Sequence, residues 1–595
     1  MTLGRNARYY LLATVGALAV ACGDNDVPGR IHHTYSEQPH YPPCPTGAAD
    51  ATTPTFHGDR ARTGWSSAET VLNPTNVALG FDWLWDGDPL DVVDGWAPRI
   101  HASPLYFDSV GPQPFVVTAT SNSWVYAVAA CSGEQRAGAI LWKTKLSDPV
   151  FVPDLDGGLP LGVLSTPVAD LTSSPPRLYV TTASAGSGLQ MFALDLTTGS
   201  VLQGWPVTFD PTTIQAIDTN GPAIFEDDLH ANQRGALALS ADGDRVYASF
   251  ASFSDTAPGW LVVVDPQQIA ITAAFSAARS TDMMSNGGIW GAGGPAIDAA
   301  GHVWATTGNA ETGPIAGNWG ESLLALGPDL QLAGTYTPFN HCELDNADTD
   351  VGGSSPMLLP DLDPSTTSTP HLAAFGSKQG NVYLVDRDHL PGNLEMRPPC
   401  STDSTTDGSL MPPGPQPQFG ARGPLNVFGP YSDTYGNLDK AKMRTPVVWF
   451  DDGAGGHYIY ATGSSKASAD STVSVPPSIA RLKLVTSPGQ PAYLEIDAVD
   501  DSLSFANSGA PLVTSNGGAD PIIWVLDQNS SRKAATLDPN IDNPILYAVD
   551  GHTLDPIYRS PLDRVGLGGK YASVAVAHGW VFVATDRLQA FGLRE

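Results

Sequence analysis

Positive charge is what this sequence has least of. Against 61 Asp and Glu stand only 30 Lys and Arg, a formal net charge of −31 over 595 residues, and just 15% of positions are charged at all. A surface this negative repels phosphate backbones and anionic headgroups. That excludes sequence-independent nucleic-acid binding and leaves proteins and small neutral or cationic ligands as the expected partners. Cysteine is scarce, with five in the chain and no C-x-x-C-H among them, so covalently attached haem is excluded. H-E-x-x-H and G-x-S-x-G are absent as well, leaving zinc proteolysis and serine-esterase chemistry unsupported. Past residue 22 no apolar run resembles a membrane span. Turn formers, in contrast, are plentiful: 61 Gly and 51 Pro accompany a hydrophobic fraction of 42%, the composition of many short strands joined by many turns.

The first 22 residues read as an export signal. Arg5 and Arg8 precede an uncharged stretch from Tyr9 to Ala21, long enough for a secretory apolar core and too short to span a bilayer. Leu18-Ala19-Val20-Ala21-Cys22 resembles the lipobox of bacterial lipoproteins, with Ala19 where that motif more often has Leu; the resemblance implies lipidation at Cys22. Gly23 in the next position favours the outer membrane, facing the periplasm or the cell surface, with the lipid as the only membrane attachment. Residues 23–50 are polar and Pro-rich, a tether between lipid and body. His32, His33 and His40 within it read as solvated side chains ahead of a metal site.

Four cysteines remain after Cys22, an even number in a compartment where disulfides persist. Of the three possible pairings we favour Cys44 with Cys131 and Cys342 with Cys400, because each would staple an irregular segment to nearby structure.

A repeated phrase fills the rest of the chain. Phe115–Leu146 alternates apolar and small or polar residues through three strands and two hairpin turns, ending past Trp142. Related phrases occupy 178–205, 246–275, 303–336, 371–390, 458–485, 522–558 and 574–593, making eight copies. Hydrophobic segments such as Thr166–Asp170, Gly294–Asp298 and Thr445–Trp449 precede several of them and supply a fourth strand. Four-stranded units repeated around a ring hide their faces against each other, so the expectation is an all-β, eight-bladed β-propeller over residues 51–595 with four-stranded antiparallel blades. A stacked solenoid is the alternative, disfavoured because neither end carries a polar cap. The last copy has three obvious strands, and Asn76–Asp86 is expected to be its outer strand, so that N- and C-terminal segments close the ring. Arg387–Arg444, rich in Pro, Gly, Ser and Thr, reads as a long loop insertion over one mouth.

Phe192-Ala193-Leu194-Asp195, then Leu196-Thr197-Thr198-Gly199 and Trp205, resembles the pyrroloquinoline quinone (PQQ) repeat of the quinoprotein alcohol dehydrogenase-like propellers, and Phe56–Asp59 with Thr63–Trp65 is similar to their opening segment. The resemblance implies the propeller fold and brings PQQ and calcium into view. Residue by residue, Asn309 in Thr307-Gly308-Asn309 matches a calcium-ligating Asn. Asp350 matches the metal-side base, and Lys378 the cation that reaches the quinone oxygens.

Three departures count against catalysis. No carboxylate stands at Ala183–Ser187, where the calcium Glu would lie. The adjacent cysteine pair over the quinone is missing, and the window for its tryptophan floor, Gly294–Ile297, holds small residues. Asp154-Leu155-Asp156-Gly157 and Asp361-Leu362-Asp363 read as solvated turns, and Gly291–Gly294 leads into a strand where a dinucleotide fingerprint needs a helix. The expectation is therefore a lipid-anchored binding or scaffold module, with a PQQ- and calcium-dependent alcohol or sugar dehydrogenase as the alternative.

Overall fold

The structure, a computed structural model, describes residues 37–594 apart from 153–158, 227–229, 254–256, 280–286, 311–316, 339–340, 347, 379, 396–425, 429–442, 464–477, 501, 506 and 529–543. Cys22, the three-residue lipobox core before it, Asp154, Asp156, His32, His33 and Cys400 fall outside the described residues.

Every sequence copy becomes one antiparallel sheet, and there are eight. Blade 1 is Leu105–Phe107, Phe115–Ala119, Trp124–Ala129 and Ile140–Lys145. The innermost strands of blades 2 to 8 begin at Val168, Ala238, Ala296, Met357, Val448, Leu512 and Ala575. Blade 6 shows why these strands read as near-continuous apolar runs. Successive residues face opposite neighbours: Trp449 and Ile459 pack into the cluster shared with blade 5, while Val448 and Tyr460 pack into the one shared with blade 7. Eight such clusters each join two successive blades, and the one uniting blade 8 with blade 1 stacks Phe582 on Tyr106 with ring centroids 5.7 Å apart. That last contact makes the array a closed ring instead of a solenoid.

The chain ends share blade 8. Phe81–Asp86 pairs antiparallel with Leu588–Leu593 as the outer strand. The expected strand was longer; Pro74–Gly80 is helical instead, because Asn73 and Asn76 form a reciprocal capping box and Pro74 opens the first turn. The fourth strand of blade 5, Asn426–Phe428, comes from within the segment read as an insertion. Residues 37–50, expected as tether, lie on the ring. Cys44 is disulfide-bonded to Cys131, His40 N–H donates to Leu84 O at 2.8 Å, and Glu37 pairs with Arg564 and Arg594. Cys342 is also in a disulfide.

Residues 53–64 run around the inside of the ring as a strap. Their backbone hydrogen bonds reach the inner strands of blades 1, 2, 4, 5, 6 and 7, through Tyr106, Ala169, Ile297, Leu358, Trp449 and Val513. Blade 3 is reached by side chains, Arg60 Nε to Leu239 O and Arg62 Nη2 to Leu237 O. Arg62 is 0% exposed and sits at φ 65°. Its guanidinium also donates to Thr55 Oγ1 at 2.6 Å, Phe56 O at 3.0 Å and Pro295 O at 3.2 Å. Burial lowers its pKa to about 10, so it stays charged at neutral pH. Replacing it strands several buried acceptors. Arg62→Met is expected to lower unfolding free energy by about 3 kcal/mol, whereas the exposed Arg60→Met costs under about 1 kcal/mol. Paired urea melts would show it, and equal losses would contradict the strap's central role.

Candidate functional site at the mouth of the ring

Blade geometry places one kind of position at the mouth. The residues a few places before an inner strand, and those in the turn after the second strand, converge on the axis. Arg234 and Trp290 precede the inner strands of blades 3 and 4; Arg444, Lys570 and Tyr571 precede those of blades 6 and 8. Lys378 lies in the turn after Leu372–Gly376 of blade 5. With Asn232, Ser252, Phe253 and Asp348 these line a cavity of about 270 Å³.

Lys378 is the hub. Its ammonium lies 2.6 Å from Asp350 Oδ1, also pairs with Asp348, and sits 5.0 Å from the centre of the Trp290 ring. The Trp290 indole N–H donates to Asp350 Oδ2 at 2.8 Å, so both carboxylate oxygens are engaged. Burial alone would depress the Lys378 ammonium; Asp350 and Asp348 outweigh it and raise the pKa above its ordinary value. Asp350 is 2% exposed and its backbone O accepts the Lys378 N–H.

Asn309 is brought to the same place. A Cβ on neighbouring Gly308 would come within 2.7 Å of Asp350 Oδ2 and 3.2 Å of Trp290 Nε1, an approach that only glycine allows. Asn309 Oδ1 is buried without a hydrogen-bond partner. Asp350 and Lys378 thus meet as an ion pair, and Asn309 is next in sequence to the glycine that approaches Asp350. Glu321, which sequence reading passed over, is 2% exposed, accepts the Val351 N–H at 2.9 Å through Oε2, and is pushed well above the ordinary carboxylate range by burial and then by the Asp350 charge. Among the described residues no group of three or more His, Cys, Asp or Glu side chains is arranged to hold a metal ion.

Gly294–Ile297, the window of small residues where the family's tryptophan floor would fall, enter the inner strand of blade 4 and pack tightly. Gly294 has φ 63° and a Cβ on it would sit 2.0 Å from Ala236 O. Trp290 instead supplies an indole from the turn just before. The useful signal was its position ahead of an inner strand, the same position that gives Arg234, Arg444 and Tyr571. Ala183–Ser187 carries no carboxylate and lines a second, larger cavity.

Tyr571 records the local potential. Burial pushes its phenol up, but Arg444, Lys570, Arg234 and Lys378 more than offset that, bringing the pKa down to about 8. Arg234 lies over the ring at 5.5 Å, and Trp290 is 6.3 Å away, tilted by 50°. In a chain of net charge −31 this mouth is a local pool of positive charge.

No family model matches the chain, and no curated protein does. Solved structures do match. The quinohemoprotein alcohol dehydrogenase of Comamonas testosteroni shares 14% identity over 92% of this chain and 81% of its own, with a TM-score of 0.56. A europium-containing methanol dehydrogenase shares 15% over 90% and 89%, at 0.54. The quinohemoprotein alcohol dehydrogenase ADHIIG of Pseudomonas putida HK5 shares 14% over 91% and 80%, at 0.51. At these identities the likeness is one of fold alone, that of the β-propeller described above.

Of the 18 tyrosines, Tyr571 should form phenolate near its lowered pKa of about 8, visible as near-ultraviolet tyrosinate absorbance on a pH titration. Tyr571→Phe should abolish that step and Arg444→Gln should move it upward, because a cation favours the phenolate. A step unmoved by Arg444→Gln would show that other charges set it.

Proposed function

We propose that the protein is a binding module whose mouth takes a small, flat, multiply charged anion. The observation that carries this is the convergence of Arg234, Lys378, Arg444 and Lys570 on one cavity that also holds Trp290 and Tyr571. Guanidinium and ammonium groups supply carboxylate or phosphate contacts, and the aromatic rings favour a planar body. This departs from the neutral or cationic ligand suggested by net charge, since the local lining outweighs the distant surface at contact range.

A second reading, a quinone-dependent dehydrogenase, is supported by the Asp350–Lys378 pair, with Asn309 following the glycine that approaches Asp350. PQQ is a planar tricarboxylate and suits the cations and the indole; when bound it would supply the two-electron acceptor. Calcium suits the residues less well. It takes six to eight oxygens, whereas here Asn309 offers one free amide oxygen and both Asp350 oxygens are already engaged. Asp350, paired with Lys378 and Trp290, is held in one orientation and is the carboxylate in place to accept a proton.

Titration with PQQ alone, followed by absorbance and thermal shift, tests the anion reading. Saturable binding without calcium is expected, about tenfold weaker in Arg444→Gln. Absence of any shift at high PQQ counts against it, and dye reduction with an alcohol in the loaded protein would establish the second reading.

The module is further proposed to be exported and lipid-anchored through Cys22, at the outer membrane facing the periplasm or cell surface, on the support of Leu18–Cys22 and Gly23. Cys22→Ala should move the protein from the membrane to the soluble fraction on cell fractionation; retention in the membrane would exclude lipid at Cys22 as its anchor.

A further inference from the structure

We propose that a second cavity, between blades 1, 2 and 3, binds a neutral, hydroxyl-bearing organic molecule with an apolar face, of the size of an aromatic glycoside. The cavity measures about 630 Å³, within the range of small-molecule sites. It adjoins the cationic cavity, sharing Asn232 and Phe253 with it, yet among the described residues that line it none is ionisable. The Arg234 guanidinium over the Phe253 ring lines only the cationic cavity, so a charge buried here would find no ionisable partner in the described lining, and desolvating it costs several kcal/mol, roughly.

The lining has two parts. Val150, Leu161, Leu164 and Phe253 form an apolar wall with Val152 behind it. Opposite are polar groups, most of them already satisfied. Thr182 Oγ1 is 2.9 Å from Ser123 Oγ, and Gln233 Nε2 donates to Gly235 O at 2.6 Å. Two are not. Ser184 and Asn232 are 3% and 4% exposed, and Ser184 Oγ and Asn232 Oδ1 make no hydrogen bond. An unmade buried hydrogen bond costs about 1–3 kcal/mol, so these atoms favour a ligand that can both donate and accept. A hydroxyl does both. The small residues of Ala183–Ser187 keep the site uncharged and its rim open, with Ala185, Gly186 and Ser187 exposed at the hairpin tip. The inference does not depend on what fills the cationic cavity.

The test uses the full chain and two probes of nearly equal size, para-nitrophenyl β-glucoside and para-nitrophenyl β-glucuronide, which differ by a hydroxymethyl against a carboxylate. Calorimetry and saturation-transfer NMR should show the glucoside binding about tenfold tighter or more. Ser184→Ala removes an unpartnered oxygen, so its melting temperature should stay the same or rise while glucoside affinity falls about three- to tenfold. Ala185→Trp, at the exposed rim, should block binding. Arg444→Gln should leave glucoside affinity unchanged while weakening PQQ, which separates this proposal from the anion reading. Failure of the glucoside to bind, equal or tighter binding of the glucuronide, or affinity unaffected by both Ser184→Ala and Ala185→Trp would overturn it.

Discussion

The ring depends on being held from within. Seven of its blades hang their inner strands on residues 53–64, and the most demanding part of that strap is Arg62, a fully buried cation whose partners are neutral carbonyl and hydroxyl oxygens. A buried guanidinium is tolerable only where the backbone around it turns several acceptors toward one point. The centre of a propeller offers that, because inner strands from different blades approach the axis together. The same segment then leads through the Asn73-capped helix into the outer strand of blade 8, so one continuous stretch bonds to the inner strands and closes the circle.

The strap runs along the inner strands, and two adjoining cavities at the mouth differ in charge. One compartment gathers four cations, with Asp348 and Asp350 paired to Lys378; its neighbour has no ionisable group among the described residues of its lining. Arg234 stands at the border, its guanidinium 5.6 Å from the Phe253 ring, which faces both, and 5.5 Å from Tyr571. The chain as a whole has a net charge of −31, which disfavours polyanions by long-range repulsion.

The blades were legible because their middle strands, such as Val246–Ser252 and Trp580–Ala584, are buried on both faces between neighbours and read as apolar runs with few polar interruptions, and because hairpin turns punctuate the copies. The Cys44–Cys131 pairing was legible as a staple and is present. The helix at Pro74–Gly80 was misread as strand because its apolar content is low and the capping box is built from two Asn, a pattern less familiar than Ser or Thr with Glu. Of the site, Asn309, Asp350 and Lys378 were singled out through their local phrases. Trp290, Glu321, Arg234, Arg444, Lys570 and Tyr571 were not, since each is an isolated residue whose neighbours in sequence say nothing about charge or cavity.

Sequence alone therefore determined the repeat, the number of blades, the participation of both chain ends in closure and the candidate phrases, all of which rest on short-range periodicity and turn chemistry. Only the tertiary structure decided which single residues from five different blades face one another across the axis. The positive potential at the mouth arises there, because an electrostatic field is a sum over neighbours in space, and a strongly acidic composition places no limit on how a few cations are gathered.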